Sequence, residues 1–174
     1  MNAIRNDPPT FAREISVKLL NSAAADLFYL YARTRQTRWK VRGPFSFSLH
    51  KLLDAFAARF QEYIDAATEH ITALGGYVEG TLGETVRQSC LEQTEDFVLQ
   101  RGERDWLAEL ANAHAACRER MRAALKRVTA EKDFGTAELL TGLLRDLDRQ
   151  QWILEAQMGW RNSGDWHQQP ALTH

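Results

Sequence analysis

From Phe11 to Val41 the chain runs without a Gly or Pro, and no other feature narrows its folding options as much. Apolar residues recur through the run at Ile15, Leu19, Leu20, Ala23, Ala24, Leu27, Leu30 and Tyr31. That three-and-four spacing gathers side chains on one face of an α-helix. Gly43-Pro44 breaks the run, since Pro has no amide hydrogen to donate to a continuing helix. A second helix is expected to start near Ser46 or Ser48, either of which can cap it. Its apolar face runs Leu49, Leu52, Leu53, Phe56, Phe60, Tyr63, Ile64, Ala67, Ile71 and Leu74, and Gly75-Gly76 stops it because Gly tolerates the positive φ that follows a helix C-terminus.

Two more long helices are predicted, from about Glu103 to Ala130 and from about Thr136 to Met158, with Lys132–Gly135 as the turn between them. Residues 77–101 are less regular, and Thr81 to Cys90 reads as a short helix lying across the others. Helices of this length need partners to cover their apolar stripes. The expectation is an all-α, single-domain four-helix bundle over residues 11–160, with the extra short helix in a long crossover. Residues 1–10 read as a flexible arm closed by Pro8 and Pro9, and residues 161–174 as a polar tail. Trp106, Trp152, Trp160 and Trp166 are expected as core or interface anchors.

The charges, 22 basic against 23 acidic, nearly cancel, so no global field draws the chain to nucleic acid or an anionic membrane. No run of about 18 apolar residues offers a membrane span, and the N-terminus lacks the apolar core of a signal peptide. Two cysteines, Cys90 and Cys117, without paired spacing, fit reduced thiols in a cytoplasm. His114 and Cys117 stand three apart, but no second pair joins them to complete a zinc site.

The second helix carries the informative polar pattern. His50 and Asp54, and again Asp65 and Glu69, are four apart, and at ~100° per residue all four fall within one ~100° stripe. Imidazole and carboxylate suit Fe, Mn or Zn. A solvated acidic face produces the same spacing. One helix cannot close a metal site alone, because Asp54 and Asp65 are ~16 Å apart along the axis. The four positions are, however, symmetric about residues 59–60. If the helix met a second copy of itself antiparallel there, past the small Ala57 and Ala58, His50 would face the partner's Glu69 and Asp54 the partner's Asp65. A two-fold dimer would then hold two equivalent sites.

The stretch Leu27–Gly83 contains T-R-x-x-x-W-x-V-x-G-P, S-L-H-x-L, I-D-x-x-x-E-x-I and A-L-G-G-Y-x-x-G-T-L, and residues 135–156 read GTAELLTGLLRDLDRQQWILEA. In that order these motifs closely resemble the Dps family (DNA-binding protein from starved cells), the miniferritins. The resemblance implies a ferritin-like bundle and a hollow shell of twelve copies. Such a shell takes up Fe(II), oxidises it with peroxide or dioxygen at sites between subunits, and stores ferric iron against oxidative damage. By position, His50, Asp54, Asp65 and Glu69 match the family's iron ligands, and Trp39 the tryptophan beside the site. Glu138, Asp146 and Asp148 match the stretch that lines three-fold pores. Their alternative is a solvated face paired with Arg145 and Arg149. Glu-x-x-His pairs, the mark of other ferritins, do not occur.

Two departures matter. Where the family usually has His before that Trp, this chain has Arg38, and a guanidinium has no lone pair to give a metal. Arg38 is expected to turn toward Asp65 and Glu69. Three consequences stay open: one iron held well and a second only transiently; compensation by water or His70; or a structural ion pair in an inactive site. The family also binds DNA, often through a Lys-rich tail. Residues 1–18 offer only Arg5, Arg13 and Lys18 against Asp7 and Glu14, so DNA binding is expected to be weak or absent at physiological salt.

Overall fold

The computed structural model describes residues 10–43, 46–89 and 102–159. The expected 1–10 arm (all but its last residue), the 161–174 tail, Cys90, Trp160 and Trp166 lie outside them. Five helices follow in order: α1 (Thr10–Lys40), α2 (Ser46–Ala73), α3 (Leu82–Gln88), α4 (Glu103–Ala130) and α5 (Phe134–Gln157). Among the described residues there is no strand, and no helix is long and apolar enough to cross a membrane.

Local sequence sets the helix ends. After α2, Gly75 takes φ 77°, and the Gly76 and Gly75 amides donate to the carbonyls of Ile71 and Thr72, both at 2.9 Å. These are the two bonds of a Schellman cap. Gly76 is also required by packing, because a Cβ there would lie 2.5 Å from Val17 of α1. Thr81 caps α3 by accepting from the Glu84 amide, while Glu84 accepts from the Thr81 amide.

The last turn differs from expectation. It closes on Lys132, which holds φ 60°, and α5 begins at Phe134 rather than Thr136. Asp133 is the reason: its carboxylate accepts from the Thr136 amide at 3.1 Å and so caps the helix two residues early. The same carboxylate accepts from Ser16 of α1 at 2.6 Å and from the Thr136 hydroxyl at 2.7 Å. Thr136 lies 3.0 Å from His70 of α2. One buried carboxylate therefore knits three helices at this end. Burial pushes the Asp133 carboxyl up, but the bonds from Ser16 and Thr136 outweigh it and hold it below the usual range.

Cross-helix pairs give the topology. Arg120–Asp26 and Arg33–Glu109 set α1 antiparallel to α4, while Tyr63–Asp146 and His70–Thr136 set α2 antiparallel to α5. With each helix hairpin also antiparallel, α2 and α4 run the same way, so the crossover must return the length of the bundle, ~40 Å. The inward faces supply Leu27, Leu30, Leu53, Phe60, Leu107, Leu110, Met121, Leu140, Leu147 and Leu154, all essentially solvent-free. Each such side chain contributes roughly 1.5–3 kcal/mol on burial. Trp106 is buried as expected, with Lys40 Nζ 3.8 Å over its ring. Trp152 is not a core residue, standing 68% exposed on α5.

Candidate metal centre

The α2 stripe divides into two halves with different surroundings. Near the N-terminal end His50 is half-buried, and its Nε2 lies 3.2 Å from the Val41 carbonyl. A carbonyl only accepts, so this nitrogen carries the hydrogen, and in the neutral ring the lone pair sits on Nδ1. One turn later Asp54 Oδ1 lies 2.6 Å from Arg35 Nη1, a well-aligned hydrogen bond, and 2.6 Å from Arg38 Nε. The Arg38 contact is an ion pair by distance only. Its N–H is not directed along a hydrogen bond, and that atom is otherwise buried without a partner.

Toward the other end, Asp65 and Glu69 are exposed. Thr68 donates to the Asp65 backbone carbonyl, but among the described residues neither carboxylate has a hydrogen-bond or ion-pair partner. Nor do three His, Cys, Asp or Glu side chains of the described residues converge within one protomer, as the axial separation along α2 requires.

Within one protomer Arg38 thus meets Asp54, and the Asp65 and Glu69 expected to face it would belong to the partner's half of the shared site. Since α1 and α2 are antiparallel, the C-terminal end of α1 faces only the N-terminal half of α2. Trp39 points outward, 65% exposed. Sequence reasoning missed Arg35, although its spacing of one helical turn from Arg38 was the available signal.

On α5, Glu138 is exposed. Tyr63 donates to Asp146 at 3.0 Å and Arg59 Nε at 2.9 Å, and the Arg59 pKa is raised chiefly by that bond to Asp146. Asp148 pairs with Arg118 at 2.5 Å and Arg122 at 3.4 Å. Among the described residues Arg145 and Arg149, the expected partners, make no ion pair with Asp146 or Asp148. Arginines on α2 and α4 reach these carboxylates instead.

Asp26 and His114 are among the buried polar groups off the stripe. Asp26 is fully buried on α1, 2.5 Å from Arg120 Nε and 3.1 Å from Ser89. His114 is solvent-free with neither ring nitrogen hydrogen-bonded, and it packs against Phe56 and Phe60 at 6.1 and 5.5 Å between ring centres. Burial in that apolar setting lowers its pKa to about 3, with Arg118 adding to the effect. His114 is therefore a neutral core residue. Burial likewise pushes the Cys117 thiol well up, so it is an unreactive thiol rather than a metal ligand.

A ferritin-like domain model matches residues 17–160, in keeping with four long helices and one long crossover. The DNA protection during starvation protein of Agrobacterium fabrum is 29% identical over 154 residues, 87% of this chain and 93% of that protein. DpsC from Streptomyces coelicolor superposes with a TM-score of 0.82 at 26% identity, over 90% of this chain and 91% of that one. Dps from Vibrio cholerae O1, described as a member of a broad superfamily of ferritin-like diiron-carboxylate proteins, gives 0.79 at 20% identity over 91% and 99%. The chain belongs to the Dps family of ferritin-like proteins.

Proposed function

We propose that this protein is a subunit of a hollow shell of identical copies, twelve by family analogy, that oxidises Fe(II) at sites shared between two subunits and stores the ferric product. Iron is the substrate. The observation that carries the reading is the exposed Asp65–Glu69 pair, without a partner among the described residues and placed symmetrically about residues 59–60 with His50–Asp54. Two antiparallel copies of α2 would bring His50 to the partner's Glu69 and Asp54 to the partner's Asp65. Asp65 and Glu69 then supply the anionic oxygens that favour Fe(III) over Fe(II), and His50 a nitrogen donor. Two Fe(II) ions each give one electron to one peroxide, whose O–O bond breaks to leave two hydroxide ions; dioxygen is the alternative acceptor. By the family resemblance, Trp39 would stand beside the site.

Fe(II) reaches the shell interior past acidic residues of α5. Asp146 and Asp148 are partly neutralised by arginines, so Glu138 provides the stronger attraction for a cation. The protein acts in the cytoplasm, limits oxidative damage by removing Fe(II), and binds DNA weakly or not at all.

A second reading, a shell whose oxidation chemistry has been lost, is favoured by one observation: arginines already neutralise Asp54 as a cation would. The two readings part in one experiment, anaerobic Fe(II) loading followed by peroxide with ferric absorbance followed in time. Oxidation above the buffer rate, abolished in Asp65→Ala and raised several-fold in Arg38→His, is expected of an active site. Wild-type oxidation at the buffer rate leaves the structural shell.

A further inference from the structure

Arg38 stands where the family has a ligand, yet it is not the better-placed guanidinium on Asp54. Arg35, one turn earlier on α1, makes the aligned hydrogen bond to Oδ1, whereas Arg38 Nε reaches the same atom at 2.6 Å without hydrogen-bond geometry. Two fixed positive charges therefore crowd one carboxylate oxygen. The side chains of Arg35, Arg38 and Asp54 are 34%, 30% and 41% exposed, so water screens them only in part. No described group donates to the other oxygen, Oδ2, which leaves it open to a cation.

We infer that Arg35 is a positioning residue that competes with the incoming cation for Asp54 and so sets how tightly the shared site takes up a divalent metal ion. The inference rests on the shared-site reading above and adds to it the residue that regulates uptake. A divalent ion at Oδ2 has Arg35 and Arg38 as close like-charged neighbours, and it must either displace Arg35 from Oδ1 or bind beside it. Arginine cannot relieve this by losing a proton, since it stays charged at every physiological pH. The competition is therefore constant, unlike that of a histidine in the same place. Arg35 matters more than Arg38 because its contact with Asp54 is the one that is a hydrogen bond.

The test is anaerobic titration of the assembled protein with cobalt(II), a redox-stable divalent probe, by calorimetry and by the d–d absorbance of the bound ion. Arg35→Gln should tighten binding about three- to fivefold, the upper range for a partly exposed ion pair, and by more than Arg38→Gln. Arg35→Lys, which keeps the charge, should stay near wild type. Adding Asp54→Asn to Arg35→Gln should erase the gain, since the two residues act through one contact. Arg35→Met keeps the aliphatic stem and gives the same comparison if glutamine disturbs packing. Unchanged or weaker binding in Arg35→Gln and Arg35→Met, with wild-type binding still lost in Asp65→Ala, overturns the inference and spares the shared site. Wild-type binding that is unaffected by Asp54→Asn and Asp65→Ala overturns the shared site, and the inference with it.

Discussion

The two ends of α2 carry the same chemistry in opposite conditions. At one end Asp54 is half-buried and engaged by Arg35 and Arg38, and His50 is tied to the Val41 carbonyl. At the other, Asp65 and Glu69 stand exposed, without partners among the described residues. A charge that its own chain satisfies is part of the folded protomer, and removing it strands its partners. An exposed charge that nothing satisfies is retained at little folding cost and is available to a ligand or a second subunit. The contrast teaches that one half of the stripe is built into the bundle and the other half faces outward.

The hardest test of that contrast is at the proposed two-fold axis. Ala58 is exposed there, and Ala58→Arg should abolish both the α2–α2 pairing and Fe(II) oxidation while every ligand stays in place. Light scattering after gel filtration should show the species fall in mass. An unchanged assembly with full oxidation would break the shared-site geometry.

A smaller effect concerns the buried histidine of the core. His114 has its pKa lowered to about 3 in the folded state, against an ordinary 6.5. The unfolded chain therefore binds more protons between these values. The stability that depends on a neutral His114 is complete above about pH 6.5 and is lost as the pH falls toward 3, by at most ~1.4 kcal/mol per pH unit. His114→Leu should flatten this part of the stability–pH curve, measured by urea unfolding between pH 7 and 4. A curve as steep in His114→Leu as in the wild type would mean that the acid sensitivity lies elsewhere.

The smallest effect addresses the comparison directly. Asp54→Ala leaves Arg35 and Arg38 close together without their shared anion and should cost about 1 kcal/mol of metal-free stability. Asp65→Ala should stay within about 0.5 kcal/mol. Equal costs in denaturant unfolding would mean that the two ends do not differ as described.

The helices were legible because their signals are local. The Phe11–Val41 run, the Gly75-Gly76 stop and the Thr81 cap each act within a few residues, and α1, α2, α3 and α4 match the expected spans closely. The start of α5 was misjudged because Gly135 looks like a turn residue, while the Asp133 cap that overrides it is drawn into place partly by Ser16 on α1. The four stripe residues were legible through their spacing. Their surroundings were not: nothing in the order of residues announces that Arg35 reaches Asp54, that Arg59 rather than Arg145 pairs with Asp146, or that Asp26 is buried against Arg120.

What this sequence determined alone was therefore a set of helices, the apolar face of each, and a polar stripe on α2 whose symmetry asks for a second copy. Periodicity along one helix fixes direction around that helix, and needs no partner to do so. The tertiary structure decided which charges are already neutralised and which face outward, because that depends on the register and rotation of helices distant in sequence, settled only when their apolar faces pack.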